Sequence, residues 1–83
     1  MAIEGEQVRA ARALLGWTQQ ELSEHSGLSL TTIKRMESLG TERSSAVNIA
    51  AAEKALEAAG VVFIPENGGG AGVRLAKPKE SRA

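Results

Sequence analysis

The sequence predicts a mainly α fold: one compact domain of four short helices, followed by a C-terminal β-hairpin. Over residues 1–60, apolar side chains recur at helical spacing, and polar cap residues precede the later helices. Residues 61–77 instead contain a β-branched run, a glycine-rich breaker and a second short alternating run. Residues 78–83 are polar and are expected to form a frayed tail. With 83 residues the core is small, so association with a partner would help to stabilise it.

The first helix is predicted over residues 6–15, which are strong helix formers. Val8, Ala11 and Leu15 fall at positions i, i+3 and i+7, and this spacing defines one buried stripe. Gly16 is expected to end the helix.

The second helix is predicted over residues 19–25 because a complete start signal precedes it. Thr18 can cap the helix, and Glu21, three residues later, can accept a hydrogen bond from the backbone N–H of the cap. Trp17 and Leu22 occupy the two positions of a hydrophobic staple. A sharp helix start at Thr18 follows.

A third helix should begin after Ser29, a good N-cap, with Leu28 and Ile33 at the staple positions. Only residues 26–28 are left between the second helix and this cap, and Gly27 can adopt the positive φ that a helix exit favours. Two short helices joined by such a turn form a helix-turn-helix, whose second helix is usually the one presented to a ligand.

The fourth helix is predicted from Ser44 or Ser45 to its C-terminal cap, Gly60. Two strands are then expected at residues 61–64 and 73–77. An isolated two-stranded hairpin is barely stable in water, so the helices or a second subunit should cover it.

The two sides of the third helix differ in character. A helical wheel places Ile33, Met36 and Glu37 on one side, and Thr31 and Arg35 on the other. An arginine fork can bond guanine, and a threonine can bond a base edge or contact the thymine methyl group. The free side therefore suits the major groove of DNA.

Several neighbouring residues extend this prediction. Leu30 lies between the two sides, and contact with a thymine methyl group or a place at the edge of the core are both open to it. Gln19, Ser29 and Thr32 stand at helix N-termini, where free N–H groups favour phosphate. Arg43, the only cation in the TERSS loop, is a further candidate for phosphate contact.

Glu37 is the unusual residue of the third helix because a carboxylate on a packing side requires a partner. Arg12 lies in the middle of the first helix, in line with its inner face. We predict a structural salt bridge between Arg12 and Glu37.

The composition argues against several other classes of function. Ten basic and ten acidic residues leave no net charge to hold the protein on a polyanion or a membrane surface, so any nucleic-acid binding must be local. There is no cysteine, no aspartate and a single histidine, His25, which gives no metal site, cofactor site or catalytic group.

The glycines of residues 68–72 are not followed by the lysine and helix of a phosphate-binding loop. No apolar run is long enough for a membrane helix and MAIEGE lacks signal-peptide features, so we expect a non-enzymatic cytoplasmic protein.

Residues 8–37, VRAARALLGWTQQELSEHSGLSLTTIKRME, resemble the Xre/Cro-type helix-turn-helix family of phage and bacterial regulators. The matching pattern is an arginine in helix one, G-[LW]-T-Q-x-E-L, a glycine turn, S-x-x-T-I and a closing R-x-E. The resemblance implies a helical DNA-binding domain, usually a dimer on a palindromic operator. The positions that match the family's functional residues are as follows: Gln19 for phosphate contact; Leu30, Thr31 and Arg35 for base reading, with Lys34 beside them; and Arg12 and Glu37 for its salt bridge.

Two functions of different classes follow. The first is a sequence-specific transcription regulator that binds double-stranded DNA as a homodimer through its third helix. The alternative is a protein-binding module, such as an antitoxin or anti-activator, that uses the hairpin to join the sheet edge of a partner. The predicted hairpin stands where the family usually has a fifth helix, so the dimer interface is left open between the hairpin and the fourth helix.

Overall fold

A computed structural model describes residues 3–77 of the chain, so the predicted tail at residues 78–83 lies outside the described residues. The predicted fold class is confirmed: four helices are followed by a two-stranded antiparallel hairpin. No helix among the described residues is long and apolar enough to cross a membrane. In chain order the elements are α1 (Gly5–Leu15), α2 (Gln19–Ser26), α3 (Leu30–Leu39), a 3-10 helix (Thr41–Arg43), α4 (Ala46–Ala58), β1 (Val61–Ile64) and β2 (Gly72–Leu75).

Helix α1 begins one residue earlier than predicted because the chain before it is fixed in place. The backbone N–H of Glu4 donates to the side-chain oxygen of Gln7 over 2.8 Å, and Ile3 is fully buried in the core. Gly5 then brings α1 close to α3, since a Cβ at this position would lie only 2.6 Å from the carbonyl oxygen of Met36. Glycine is therefore needed for this approach.

The cap predicted for α2 is confirmed. Thr18 Oγ1 accepts from the N–H of Glu21 over 3.0 Å, and the Thr18 N–H donates to the Glu21 carboxylate over 2.8 Å. The helix continues through Ser26, one residue beyond the prediction, and ends at Gly27, whose φ of 76° is left-handed.

The cap predicted for α3 is also present: Ser29 Oγ accepts from the N–H of Thr32 over 3.1 Å. Between α2 and α3 lie only Gly27, Leu28 and Ser29, so the turn is as short as predicted although it starts one residue later. The helix-turn-helix is thus held at both ends of its turn by local hydrogen bonds.

The start of α4 is settled in favour of Ser45, whose Oγ accepts from the N–H of Asn48 over 3.1 Å. Its predicted end is wrong by one residue, because Ala59 and not Gly60 is the C-terminal cap. Ala59 keeps right-handed backbone, and its N–H still reaches the carbonyl of Ala55. The left-handed conformation falls on Gly60, with φ 110°, where the chain turns into β1.

The hairpin pairs Val61 with Leu75 and Ile64 with Gly72. The second strand therefore spans Gly72–Leu75 instead of the predicted residues 73–77, because β1 begins only after the turn at Gly60 and offers later residues no partner strand. Val61 and Phe63 point into the core. The buried cluster contains Ile3, Val8, Ala11, Leu22, Ile33, Leu56, Val61 and Phe63.

Gln7 connects the hairpin to α1. It is 4% exposed, and its side-chain amide donates to the carbonyl of Gly72 over 2.9 Å and to that of Ile64 over 3.3 Å. A buried amide needs such partners, because leaving it unpaired would cost about 1 to 3 kcal/mol. The hairpin is therefore part of the domain and not an appendage.

Candidate nucleic-acid interface

Helix α3 separates into a buried and a free side, as its periodicity predicted. Ile33 and Met36 are fully buried, whereas Thr31, Lys34 and Arg35 are exposed. Within residues 3–77, no ion pair involves Lys34 or Arg35. These three side chains are therefore accessible, and the donors of Lys34 and Arg35 are not used by carboxylates of the described residues.

Leu30 is half-buried at the start of α3. This position is compatible with both interpretations of the sequence, a thymine-methyl contact and a place at the edge of the core. Part of its surface packs against the domain, and the rest stands beside the free side of the helix.

The N-terminus of α3 presents two linked hydroxyl groups. Ser29 Oγ and Thr32 Oγ1 lie 2.9 Å apart, and either can be the donor in their hydrogen bond. Because that bond uses only one of the two O–H protons, the second proton is available to a phosphate oxygen. Their place at a helix N-terminus adds the favourable dipole that anions prefer there.

Gln19 lies in the first turn of α2 and is held by an internal contact that the sequence did not predict. Its amide nitrogen donates to Glu37 Oε1 over 3.1 Å. One amide hydrogen is used in this way, and the other remains for an external acceptor. Glu37 thus orients the side chain that we expect to contact phosphate.

Arg12 and Glu37 form the predicted salt bridge. Arg12 Nε donates to Glu37 Oε2 over 2.7 Å, and Arg12 Nη2 donates to Oε1 over 2.8 Å, which is the bidentate geometry that favours Arg–carboxylate pairs. The side chain of Glu37 is 3% exposed and that of Arg12 is 19% exposed. Hydrogen bonding to Glu37 raises the pKa of Arg12, although burial acts in the opposite direction.

Two further contacts of arginines extend this centre. The third nitrogen of the Arg12 guanidinium, Nη1, donates to the carbonyl of Trp17 over 3.0 Å. Arg9 Nη1 donates over 2.7 Å to the backbone carbonyl of Glu37, a contact that periodicity alone did not predict. Side chains from α1 and α2 therefore converge on one residue of α3, and they fix the three helices relative to one another.

Arg43 occupies the 3-10 helix between α3 and α4, and its side chain is exposed. Among the described residues it forms no ion pair. Its position in the connection that follows α3 is consistent with a contact to the backbone of DNA.

His25, to which the sequence assigned no role, stacks on Trp17. Their ring centroids are 4.2 Å apart and the ring planes differ by 11°. The stack joins the residue before the N-cap of α2, Trp17, to the last turn of the same helix, which contains His25. Over residues 3–77, no group of three or more His, Cys, Asp or Glu side chains is arranged to hold a metal ion.

A helix-turn-helix whose second helix has a free polar side is the arrangement that DNA-binding modules use. A family model described as helix-turn-helix matches residues 8–61, well over half of the chain. The protein belongs to this family, which is of the Xre/Cro type, and is a DNA-binding regulator. No curated protein matches the chain significantly. The family match ends at Val61, so almost the whole hairpin lies outside it.

Proposed function

We propose that the protein is a sequence-specific transcription regulator that binds a palindromic operator as a homodimer, with α3 in the major groove. The observation that carries this proposal is the free side of α3, where Thr31, Lys34 and Arg35 are exposed while the opposite side is buried. A buried side is necessary because it fixes the direction in which the polar side chains point.

The roles of the side chains follow from their chemistry. Arg35 bonds guanine with its planar fork, and Thr31 contacts an adjacent base edge or methyl group. Leu30 contributes an apolar contact, and Lys34 bonds a neighbouring base or the backbone. Residues proposed to bond phosphates and fix the register are Gln19, Ser29, Thr32 and Arg43.

The charge balance supports the proposal that the protein binds DNA as a dimer. With ten basic and ten acidic residues the protein has no overall attraction to DNA, so each domain is expected to bind with modest affinity. Linking two domains makes the second contact intramolecular and raises the overall affinity. In a symmetric dimer the two copies of α3 would read half-sites about 34 Å, or one helical turn, apart.

The test begins with selection of bound fragments from a random DNA pool, followed by affinity measurements on the selected site. We expect Arg35→Ala to weaken binding to that site by about 1 to 3 kcal/mol and to relax the preference at one base pair in each half-site. Gln19→Ala should instead lower the affinity for all sequences alike. Lys54→Ala removes an exposed cation from α4 and serves as the control, which should leave the affinity unchanged. An Arg35→Ala protein with an unaltered base preference would exclude Arg35 as a reader.

A second role is favoured by a separate observation: the hairpin lies outside the family match and has a partly exposed apolar outer side. This feature suits a protein-binding module, such as an antitoxin or anti-activator. Selection that enriches no DNA sequence would favour that role over operator binding.

A further inference from the structure

The hairpin has one side that packs on the domain and one that does not. Val61 and Phe63 of β1 are buried, so Val62 and Ile64, which alternate with them, point to the opposite side. Residues that face each other across an antiparallel pair share a side, which adds Arg74, opposite Val62, and Gly72, opposite Ile64. We call these four residues the outer face.

Val62 and Ile64 are both partly exposed on this face. Gly72 contributes no side chain, and a Cβ there would lie 3.9 Å from Ile64 Cδ1. The absence of a side chain leaves a shallow space beside Ile64. The centre of the outer face is therefore apolar and open.

Opposite charges stand at the two ends of this apolar centre. Arg74 is exposed beside Val62, and Glu66 is exposed two residues beyond Ile64, toward the loop. From the level of Arg74 to Ile64 the strand rises roughly 7 Å, and Glu66 lies farther on, in the chain that leaves β1. Within residues 3–77 neither side chain forms an ion pair.

We propose that the outer face docks on the same face of a second copy of this chain. The proposal rests on the homodimer put forward above and names its interface. A two-fold axis that crosses the strands at the level of Ile64 and Gly72 would stack Ile64 on Ile64 of the second copy. The same operation brings Arg74 near Glu66 of the other chain, and it does so twice, as an isologous interface requires.

This surface is complementary to itself in a way that the alternative surface is not. Val47, on α4, is the most exposed large apolar residue of the described chain, at 78%. Its exposed neighbours Ala46 and Ala50 are small, and the nearby Ile49 is half-buried and packs against the core. The outer face combines two adjacent β-branched residues with a base and an acid that a two-fold axis can pair. Docking would also cover a two-stranded sheet, which is barely stable when left bare.

The experiment is sedimentation equilibrium of the full chain without DNA, because this measures the interface independently of operator binding. We expect the wild type to dimerise and Arg74→Glu to raise the dimer dissociation constant at least about tenfold, since like charges would then meet at both symmetric contacts. Glu66→Arg should have the same effect. Both positions are exposed, so thermal melting should show that each variant remains folded.

Mixing the two variants provides the decisive measurement. In a heterodimer of Arg74→Glu with Glu66→Arg, every acid again faces a base, so an equimolar mixture should recover dimerisation to near the wild-type level. Lys54→Glu reverses a charge on the exposed part of α4 and should leave the dimer unaffected, and Val47→Lys probes the alternative interface directly. The proposal is overturned if the wild type stays monomeric, if neither outer-face variant weakens the dimer, if the mixture does not recover it, or if Val47→Lys dissociates it. If the wild type is dimeric but binds no operator, the result would count against the proposed function and would not contradict the proposed interface.

Discussion

Replacing Arg12 by methionine should destabilise the domain through one group, the carboxylate of Glu37. That side chain is 3% exposed and accepts two hydrogen bonds from Arg12 and one from Gln19. Arg12→Met preserves much of the hydrocarbon volume but leaves the carboxylate with one neutral donor. Removal of one partner of a buried pair typically costs about 3 to 5 kcal/mol. Because Arg12 is 19% exposed, water can approach the pair, and we expect about 3 kcal/mol.

The loss can be measured by urea unfolding, followed by the fluorescence of Trp17, the single tryptophan. A loss of about 3 kcal/mol is a large part of the roughly 5 to 15 kcal/mol that stabilises a domain. It corresponds to a fall in Tm of roughly 12 to 24 °C for a chain of this size. Circular dichroism should be recorded in parallel, because Trp17 itself accepts a hydrogen bond from Arg12.

The double variant Arg12→Met, Glu37→Met separates loss of the pair from burial of an unpaired charge. Replacing a whole buried ion pair by apolar side chains is often neutral or stabilising, so the double variant should be more stable than Arg12→Met alone. Two results would refute the reasoning: a single variant that loses less than about 1 kcal/mol, or a double variant that is no more stable than the single one.

Two other substitutions test packing and ionisation. Gly5→Ala should lower the free energy of unfolding by about 1 to 3 kcal/mol despite the helix propensity of alanine, because the new Cβ would lie 2.6 Å from the Met36 carbonyl oxygen. Gly69→Ala, whose Cβ would meet its nearest neighbour at 4.0 Å, is the control, and equal stabilities in urea unfolding would contradict the close approach. Burial, and then the charge of Glu57, raise the pKa of Glu53, so the folded state favours the protonated carboxyl. The resulting stabilisation is present at low pH and is lost as pH rises through the raised pKa. Glu53→Gln should therefore have a higher Tm than the wild type at pH 7. Below about pH 4, where the carboxyl is protonated in the unfolded state as well, the two proteins should have similar Tm values. A difference in Tm that does not change with pH would exclude ionisation of Glu53 as the cause.

Features that depend on neighbouring residues could be predicted from the sequence. Thr18 and Glu21 are three residues apart, so the α2 cap is complete within one turn, and Ser29 caps α3 through the N–H of Thr32. The salt bridge between Arg12 and Glu37 could also be predicted, because a carboxylate on the packing side of one helix requires a cation on the packing side of a neighbouring helix. In each case the chemistry of a residue restricts its partner to very few choices.

Contacts that require the assembled fold could not be predicted in this way. Gln7 looks like an ordinary helix residue, and only the position of the hairpin reveals that two strand carbonyls accept from it. The burial of Ile3 and the close approach at Gly5 likewise depend on the placement of α1 against α3. Gln19 was predicted to face phosphate, but nothing local indicated that Glu37 holds it as well.

The position of Glu37 has a consequence for how stability and DNA binding are coupled. Glu37 and Arg35 are two residues apart on α3 and therefore point to opposite sides of the helix. Loss of the Arg12 contact should shift α3 as a whole relative to Gln19 and leave the geometry of Arg35 within its own helix intact. In the proposed complex, Arg12→Met at a temperature well below its Tm should thus lower the affinity for every DNA sequence and keep the base preference. A changed base preference in that folded variant would mean that the salt bridge orients the reading side chains themselves and not the helix that carries them.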